Sequence, residues 1–164
     1  MHTLRMELLQ QMPIFGAIDD EALRFLLEPV QSISVPAGQF FFRERDTADC
    51  MYVLESGRVA VLKDWAGREM LLRELGPGDC FGEMALLDLF ERSASVRALE
   101  ECRAMALSPA HLHRLFEHDA EQFALIQMNI GREMSRRLRE ADEQLFRATM
   151  GEPRSAPDTT FHTI

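Results

Sequence analysis

At 164 residues, 46% of them hydrophobic and 27% charged, the chain is predicted to fold as a single globular domain with a substantial core. Its net charge of −9 at pH 7 disfavours a nucleic-acid-binding surface, because an acidic protein repels the phosphate backbone. No apolar run approaches the roughly 20 residues that span a bilayer, and the N-terminus lacks the pattern of a signal peptide, so no membrane contact is expected. The three cysteines are an odd number with wide spacing, which indicates a reducing compartment that we interpret as the cytoplasm.

The first part of the chain is predicted to be helical. Residues 4–12 and 19–28 carry apolar side chains at helical spacing, and Pro13-Ile14-Phe15-Gly16 interrupts the pattern. Asp19 or Asp20 can cap the second helix.

Residues 30–107 show the sequence pattern of short β-strands separated by turns. The predicted strands cover residues 30–35, 39–42, 50–54, 58–62, 70–75, 93–99 and 103–107, with turn residues between them. Gly76-Pro77-Gly78-Asp79 suits a type II turn, because glycine stands third, where φ must be positive. Strands this short, at this rhythm, indicate an antiparallel sandwich or barrel.

Helix returns at Ser108-Pro109, where an N-cap residue precedes a proline in the first turn, and again over about 120–148. The last helix carries an apolar seam in coiled-coil order, made of Met134, Leu138, Ala141, Leu145 and Ala148. Such a seam can pair with a second copy of itself, as a weak homodimer, or lie against its own sheet. Residues 151–164 show no period and are expected to be disordered.

Residues 81–96 hold the chemistry that indicates a function. Gly82 lets backbone approach a ligand closely and adopt a φ closed to other residues. The amides of residues 84–86 would be unpaired N–H groups at a helix start, which attract an anion, and Arg92 can offer a planar fork to the same anion. Glu83 would repel phosphate, but it fits a site in which it accepts hydrogen bonds from hydroxyl groups. An anion close to a hydroxyl describes a ribose phosphate.

This segment resembles the phosphate-binding cassette of the cyclic-nucleotide-binding domain family. The matching residues are Phe81-Gly82-Glu83-Met84-Ala85-Leu86-Leu87 and, after four more, Arg92-Ser93-Ala94-Ser95-Val96. The resemblance extends over roughly residues 10–145. The family includes the ligand domains of catabolite gene activators and of the regulatory subunits of cAMP-dependent protein kinase. It implies an α+β fold, an antiparallel β-roll (a double-stranded β-helix, jelly-roll-like) flanked by N-terminal helices and a long C-terminal helix. Residues 1–150 would form this domain.

The same resemblance implies a ligand, cAMP or cGMP, and a role for each site residue, with no metal. Glu83 would bind the ribose 2′-hydroxyl, and Arg92 would pair with the exocyclic phosphate oxygens. Other residues would complete the site, namely the cassette residues Gly82, Met84, Ala85, Leu86 and Ala94, and Val61 and Leu72 against the base. Ser93 stands where members that accept cGMP often have a hydroxyl, although some cAMP-selective members have one too.

Three positions depart from the family pattern. A turn that usually reads Glu-Gly-Asp is Glu44-Arg45-Asp46 here, so a positive-φ glycine is missing or the turn differs. Adjacent Thr and Ser residues that contact adenine in catabolite activators are replaced by Ala141 and Asp142. Those activators continue into a helix-turn-helix, which is not found after residue 150, so no specific nucleic-acid binding is expected.

The favoured interpretation is a non-enzymatic ligand sensor whose C-terminal helix closes over the nucleotide and signals to an unidentified effector protein. A second is the same fold without ligand binding, acting as a protein-interaction module. A cupin-type metalloenzyme is disfavoured because residues 30–107 contain no histidine, and such sites need several. A truncated transcription regulator is the remaining alternative.

Overall fold

The computed structural model describes residues 2–88 and 90–151. Its helices are α1 (His2–Gln10), α2 (Asp20–Leu27), α3 (Pro109–His118) and α4 (Ala120–Thr149), with short 3₁₀ helices at Pro13–Phe15 and Glu83–Leu86. Its strands are β1 (Ser32–Val35), β2 (Phe40–Phe42), β3 (Met51–Ser56), β4 (Val59–Trp65), β5 (Arg68–Leu75), β6 (Cys80–Phe81), β7 (Ser95–Ala98) and β8 (Cys102–Leu107). The predicted α+β fold, an antiparallel roll between N-terminal helices and a long C-terminal helix, is confirmed.

Two four-stranded antiparallel sheets form the roll. The strand order is β1-β8-β3-β6 in one sheet and β2-β7-β4-β5 in the other. Early strands pair with late ones, since β1 lies beside β8 and β2 beside β7. This pairing brings the segment after β2 next to the segment before β7, where Arg92 lies.

Strand β3 is buried on both faces, which accounts for its almost continuous apolar sequence. Met51 and Val53 pack with the helices in one core, whereas Tyr52 and Leu54 pack inside the roll in a second core. Successive side chains of a strand point to opposite faces, so a single strand joins the two cores.

Two turns of the roll contain a residue with positive φ. Gly78 has a φ of 89°, and the Asp79 amide donates to the Gly76 carbonyl at 3.0 Å, in agreement with the predicted type II turn. Arg45 adopts a φ of 72° where the family pattern has glycine. The left-handed conformation costs a non-glycine residue about 1–2 kcal/mol. Here the Arg45 amide donates to the Arg92 carbonyl at 2.9 Å, which holds the turn beside that residue.

The first half of α4 is fixed to the body of the protein. Ile126 and Ile130 are buried in the helical core. The side-chain amide of Asn129 donates to the carbonyl oxygens of Ile14, at 3.3 Å, and Gly16, at 2.8 Å, on the 3₁₀ helix and the residue after it. These two bonds tie α4 to the N-terminal 3₁₀ helix.

The apolar seam of α4 divides at Met134. Met134 packs partly buried against the helical core, whereas Leu138 and Leu145 are 64% and 68% exposed, and both alanines of the seam are exposed as well. Beyond Met134 the seam therefore does not lie against its own sheet. The predicted disordered tail at 151–164 falls, apart from Gly151, outside the described residues.

The start of α2 differs in one detail from the expected cap. Asp19 is the residue before the helix, but its carboxylate makes no capping bond to the first turn. It accepts a hydrogen bond from the Gln122 side chain at 3.1 Å, which ties the start of α2 to α4.

Candidate functional site

Gly82 links β6 to the 3₁₀ helix Glu83–Leu86 and sits in the left-handed region, with φ 76° and ψ 22°. A Cβ atom added at this position would collide with the Arg92 guanidinium. Both the backbone conformation and the lack of space therefore require glycine. The Ala85 amide donates to the Gly82 carbonyl at 3.1 Å, so in this conformation it is occupied by the turn, unlike the expected free amide.

Arg92 lies next to this glycine and is 5% exposed. Its guanidinium stands over the Phe42 ring, with Cζ 4.0 Å from the ring centroid. It donates to the carbonyl oxygens of Cys50, at 2.7 Å, and Gly82, at 3.4 Å, and pairs with the Asp49 carboxylate at 3.2 Å. Arg92 Nε is also buried, and it has no hydrogen-bond partner within residues 2–88 and 90–151.

Glu83, the first residue of the 3₁₀ helix, is 3% exposed. Burial raises the pKa of its carboxyl group, although the positive charge and hydrogen bond of Arg137 act in the opposite direction. Oε1 accepts a charge-assisted hydrogen bond from Arg137 on α4. Oε2 is buried and finds no partner among the residues that the structure describes, and neither does Arg137 Nη2.

Arg137 belongs to a charged cluster on α4 that sequence analysis did not identify. Its Nε lies 3.4 Å from Glu133, which also pairs with Arg136, and Arg136 in turn reaches Glu140 at 2.6 Å. Burial acts to raise the pKa of Glu133, but the two arginines outweigh it and the pKa is lowered. The spacing Glu133–Arg137 was the available signal, yet i,i+4 pairs are equally typical of a solvated helix face.

A cavity of about 50 Å³ lies against the cassette. Of the predicted site residues it is lined by Gly82, Met84, Ala85, Arg92 and Ser93. Two acidic side chains, Asp88 and Glu91, also line it. Its volume is far below the 300–1,000 Å³ of a pocket that holds a whole small ligand. In this conformation the site is therefore largely closed.

The other predicted site residues lie outside this cavity. Leu86 and Ala94 are buried, at 8% and 1% exposed, and Glu83 faces α4 instead. Val61 is fully buried inside the roll. Leu72 is 47% exposed and falls at a β-bulge, where the register passes from Val61 opposite Arg73 to Leu62 opposite Leu71.

The rest of the described chain offers little to compete with this site. No three His, Cys, Asp or Glu side chains among residues 2–88 and 90–151 are grouped so that they could hold a metal ion. Within the same residues, every helix is too short or too polar to cross a membrane. A larger groove of about 720 Å³ runs between α1 and α2, and none of the predicted site residues lines it.

Comparison with known proteins gives consistent results. The family model described as cyclic nucleotide-binding domain matches residues 32–119. A cyclic AMP receptor protein of Thermus thermophilus is 34% identical over 144 residues, which cover 87% of this chain and 65% of that protein. The regulatory subunit of cAMP-dependent protein kinase of Emericella nidulans is 33% identical over 107 residues, 65% of this chain and 26% of that subunit.

Solved structures agree. The Thermus thermophilus catabolite activator protein superimposes with a TM-score of 0.74 at 34% identity, covering 84% of this chain and 63% of that one. The regulatory domain of Toxoplasma gondii PKA with cAMP gives a TM-score of 0.65 at 28% identity, over 69% of this chain and 43% of that one. This chain spans just under two thirds of the Thermus protein and about a quarter of the fungal subunit. With the family model covering more than half of its residues, the chain belongs to the cyclic nucleotide-binding domain family.

Proposed function

We propose that this chain binds a 3′,5′-cyclic nucleotide, cAMP or cGMP, as a regulatory ligand and leaves it chemically unchanged. One observation carries the proposal. Glu83 and Arg92, on either side of a left-handed Gly82, are 3% and 5% exposed, and each keeps one buried polar atom without a partner in the described chain. Buried polar groups are normally satisfied, so two such atoms in the cassette are best explained by a ligand that supplies both missing partners.

The two atoms demand opposite chemistry. Arg92 Nε is one of the donors of a charged guanidinium, and it suits an oxygen of the cyclic phosphate. Glu83 Oε2 is an acceptor, and it suits the 2′-hydroxyl of the ribose. A hydroxyl and a phosphate on adjacent parts of one molecule are what a cyclic ribonucleotide offers. The named ligands of the Thermus and Toxoplasma relatives support the same class.

Helix α4 is the proposed output. Arg137 of α4 holds Oε1 of the same Glu83 that would bind the ribose, so ligand binding and helix position share one carboxylate. A nucleotide needs more room than the cavity of about 50 Å³ provides, and its binding therefore favours a different placement of α4 or of the cassette. Differential contact with the two arrangements drives the shift between them. The effector protein that responds to this shift is not identified. The buried free thiols Cys50, Cys80 and Cys102 suit a reducing, cytoplasmic setting.

Calorimetric titration of the purified chain with cAMP, cGMP and cyclic dinucleotides tests the proposal. Arg92→Ala should weaken binding of the mononucleotides about 30- to 1,000-fold, because a charge-assisted contact in a desolvated site contributes about 2–4 kcal/mol. Arg97→Ala is the matched control, since Arg97 lies on β7, five residues after Arg92, but does not line the cavity and pairs with Glu69 on the surface at 3.4 Å. Unchanged affinity in a folded Arg92→Ala protein would remove Arg92 from the site.

The role of Glu83 has its own test. A 2′-deoxy nucleotide should bind the wild type much more weakly than the parent, whereas Glu83→Ala should hardly distinguish the two. Equal discrimination by both proteins would contradict the role. Chromatography of the nucleotide after incubation with the protein should recover it intact, and turnover would contradict a non-enzymatic sensor.

A second candidate is the same fold acting as a protein-interaction module without a nucleotide. The pairing of Glu83 with Arg137 and the small cavity favour it, since both describe a site that is already closed. The absence of binding heat with every nucleotide, in a protein that unfolds cooperatively, would select this candidate.

A further inference from the structure

We propose that Lys63 on β4 is a positioning residue for the nucleotide phosphate, because it holds the backbone of Ser93 at the wall of the cassette cavity. Lys63 itself does not line this cavity, so it acts through Ser93 and not on the ligand. The inference rests on the proposed function, since it concerns the donors that the same site presents to its ligand.

The Lys63 ammonium bridges two segments of the chain. It donates to the Ser93 carbonyl oxygen at 2.5 Å and lies 3.2 Å from the Glu44 carboxylate. The Lys63 side chain is 46% exposed, and solvent alone could satisfy its three donors, yet two of them are directed at acceptors of the protein. The side chain therefore joins β4 both to the turn after β2 and to the end of the cassette.

Glu44 is fixed in turn, so it can anchor the ammonium. Its second carboxylate oxygen accepts a hydrogen bond from the Asp64 amide at 3.0 Å, and its own amide donates to the Ser95 hydroxyl at 2.8 Å. The Asp64 amide and the Lys63 ammonium lower the pKa of the Glu44 carboxyl group, so Glu44 is ionised at neutral pH. A charged acceptor that is held at two points keeps Lys63 beside the Ser93 carbonyl.

Both peptide units that flank the Ser93 α-carbon are held by hydrogen bonds. A trans peptide unit is planar, so a bond to its carbonyl also sets the direction of the N–H of the following residue. The Arg45 amide bonds the Arg92 carbonyl at 2.9 Å and thereby orients the Ser93 N–H. Lys63 bonds the Ser93 carbonyl and thereby orients the next peptide unit. Ser93 is fixed on both sides, and on one of them a side chain does the work.

Ser93 is the residue through which this order reaches the ligand. It lines the cassette cavity together with Arg92. Its N–H and its hydroxyl can both donate to an anion. Donors that already hold one orientation bind an anion without first losing conformational freedom, so preorganisation contributes to affinity. Lys63 supplies that preorganisation from outside the cavity.

Calorimetric titration of the full chain with cAMP and cGMP measures the contribution. Lys63→Met keeps the length of the side chain but removes the donors, and it should weaken nucleotide binding about 5- to 20-fold, since the contact is charge-assisted but half-exposed. Lys63→Arg keeps the charge and the donors and should stay within about threefold of the wild type. Arg58→Met is the matched control. It removes the same charge next to β4, where Arg58 pairs with Glu74 on the surface, and should bind as the wild type does.

A pair of ligands separates positioning from a general loosening of the fold. The Rp and Sp diastereomers of a cyclic nucleotide phosphorothioate place sulfur, a weak acceptor, at one or the other exocyclic position of the phosphate. Donors in a fixed orientation treat these positions differently, so the wild type should bind the two diastereomers with unequal affinity. In Lys63→Met the ratio of the two affinities should move at least about twofold toward one, whereas a loosened fold would weaken both alike.

The sequence allows a test that needs no variant, because Lys63 is its only lysine. Acetylation with an amine-specific reagent modifies Lys63 and the N-terminal amine, and it removes the charge and two donors of the ammonium. The acetylated wild type should lose about as much affinity as Lys63→Met. Acetylated Lys63→Arg, modified at the N-terminal amine alone, should keep its affinity.

The outcomes separate this inference from the proposed function. A wild type that binds no cyclic nucleotide would overturn both. A wild type that binds, with Lys63→Met and the acetylated protein as tight as the wild type, would overturn only the role of Lys63. Equal binding of the two diastereomers by the wild type, or a weaker Lys63→Met with an unchanged ratio, would overturn it as well, because neither fits phosphate donors held in one orientation.

Discussion

Replacing Arg137 with alanine should destabilise the fold, and the loss should grow with pH. Arg137 provides the cation beside a Glu83 side chain that is 3% exposed, while the Arg137 side chain itself is 20% exposed. Removing one partner of a fully buried pair costs about 3–5 kcal/mol. Since water reaches Arg137, we expect a loss below that range, about 2–3 kcal/mol at pH 8. In a protein of this size such a loss lowers Tm by roughly 4–12 °C.

The pH dependence follows from the direction of the Glu83 pKa. Burial holds the pKa of the folded carboxyl above its ordinary value of 4.5 even with Arg137 present. The folded state therefore binds the proton more tightly than the unfolded state, and stability falls as pH rises from 4.5 through the raised value. Without Arg137 the folded pKa rises further, so this loss continues to a higher pH. At pH 4.5 more than half of the Glu83 carboxyl groups are protonated in both proteins, so removing Arg137 costs less there than at pH 8.

Urea denaturation of wild type and Arg137→Ala at pH 5 and pH 8 measures the effect. The difference in unfolding free energy should be clearly larger at pH 8, and the double variant E83Q/R137A should recover most of it, because a neutral amide needs no cation. Arg139→Ala is the control, since Arg139 is exposed and its side chain bonds the Ser135 carbonyl at 3.4 Å. A difference that is the same at both pH values, or one that the double variant does not relieve, would refute the reasoning.

Three further predictions follow. Gly82→Ala and Gly38→Ala impose similar strain, of about 1–2 kcal/mol, because both glycines have positive φ, but only the first displaces Arg92; nucleotide binding by calorimetry should therefore be lost in Gly82→Ala alone, and binding by that variant would contradict the packing of the cassette. The exposed seam of α4 should form a weak, concentration-dependent dimer that Leu138→Asp abolishes in sedimentation velocity, and a wild type that stays monomeric at high concentration would contradict it. With a net charge of −9, this chain should give no competitor-resistant complex with genomic DNA fragments in gel-shift titration, and a sequence-specific complex would overturn that expectation.

The roll could be predicted from the sequence because its strands and turns depend on residues that are close together in the chain. The type II turn at Gly76–Asp79 needs glycine at one position, and that position has the required φ. The strand bounds moved by only a few residues, since hydrophobic runs and turn residues specify where a strand exists better than where it ends. The cassette was found for a different reason, because Gly82, Glu83 and Arg92 stand close together in the chain.

Features that depend on contacts between residues far apart in the chain could not be predicted from the sequence. Arg137 lies 54 residues from Glu83, and nothing in its neighbourhood distinguishes a buried partner from a surface charge. Arg45 is similar. Its positive φ is compensated by backbone hydrogen bonds between its turn and Arg92, of which the bond from the Arg92 amide to the Asp46 carbonyl measures 2.7 Å. Neither arrangement can be inferred until β2 and α4 have been placed beside the cassette.

The attachment points of α4 suggest why a small event at the cassette could have a large effect. Asn129 fixes the helix to the N-terminal 3₁₀ helix, and Arg137 contacts the cassette two turns later, about 12 Å along the axis. The helix continues to Thr149, about 30 Å from Asn129, and the last part is exposed along its whole length. A stiff helix that pivots near Asn129 therefore multiplies a displacement at Arg137 about 2.5-fold at its far end. The proposed ligand acts at Glu83, close to the pivot, where the displacement of α4 is small. An effector or a second copy that binds the exposed end of α4 would respond to the larger displacement there.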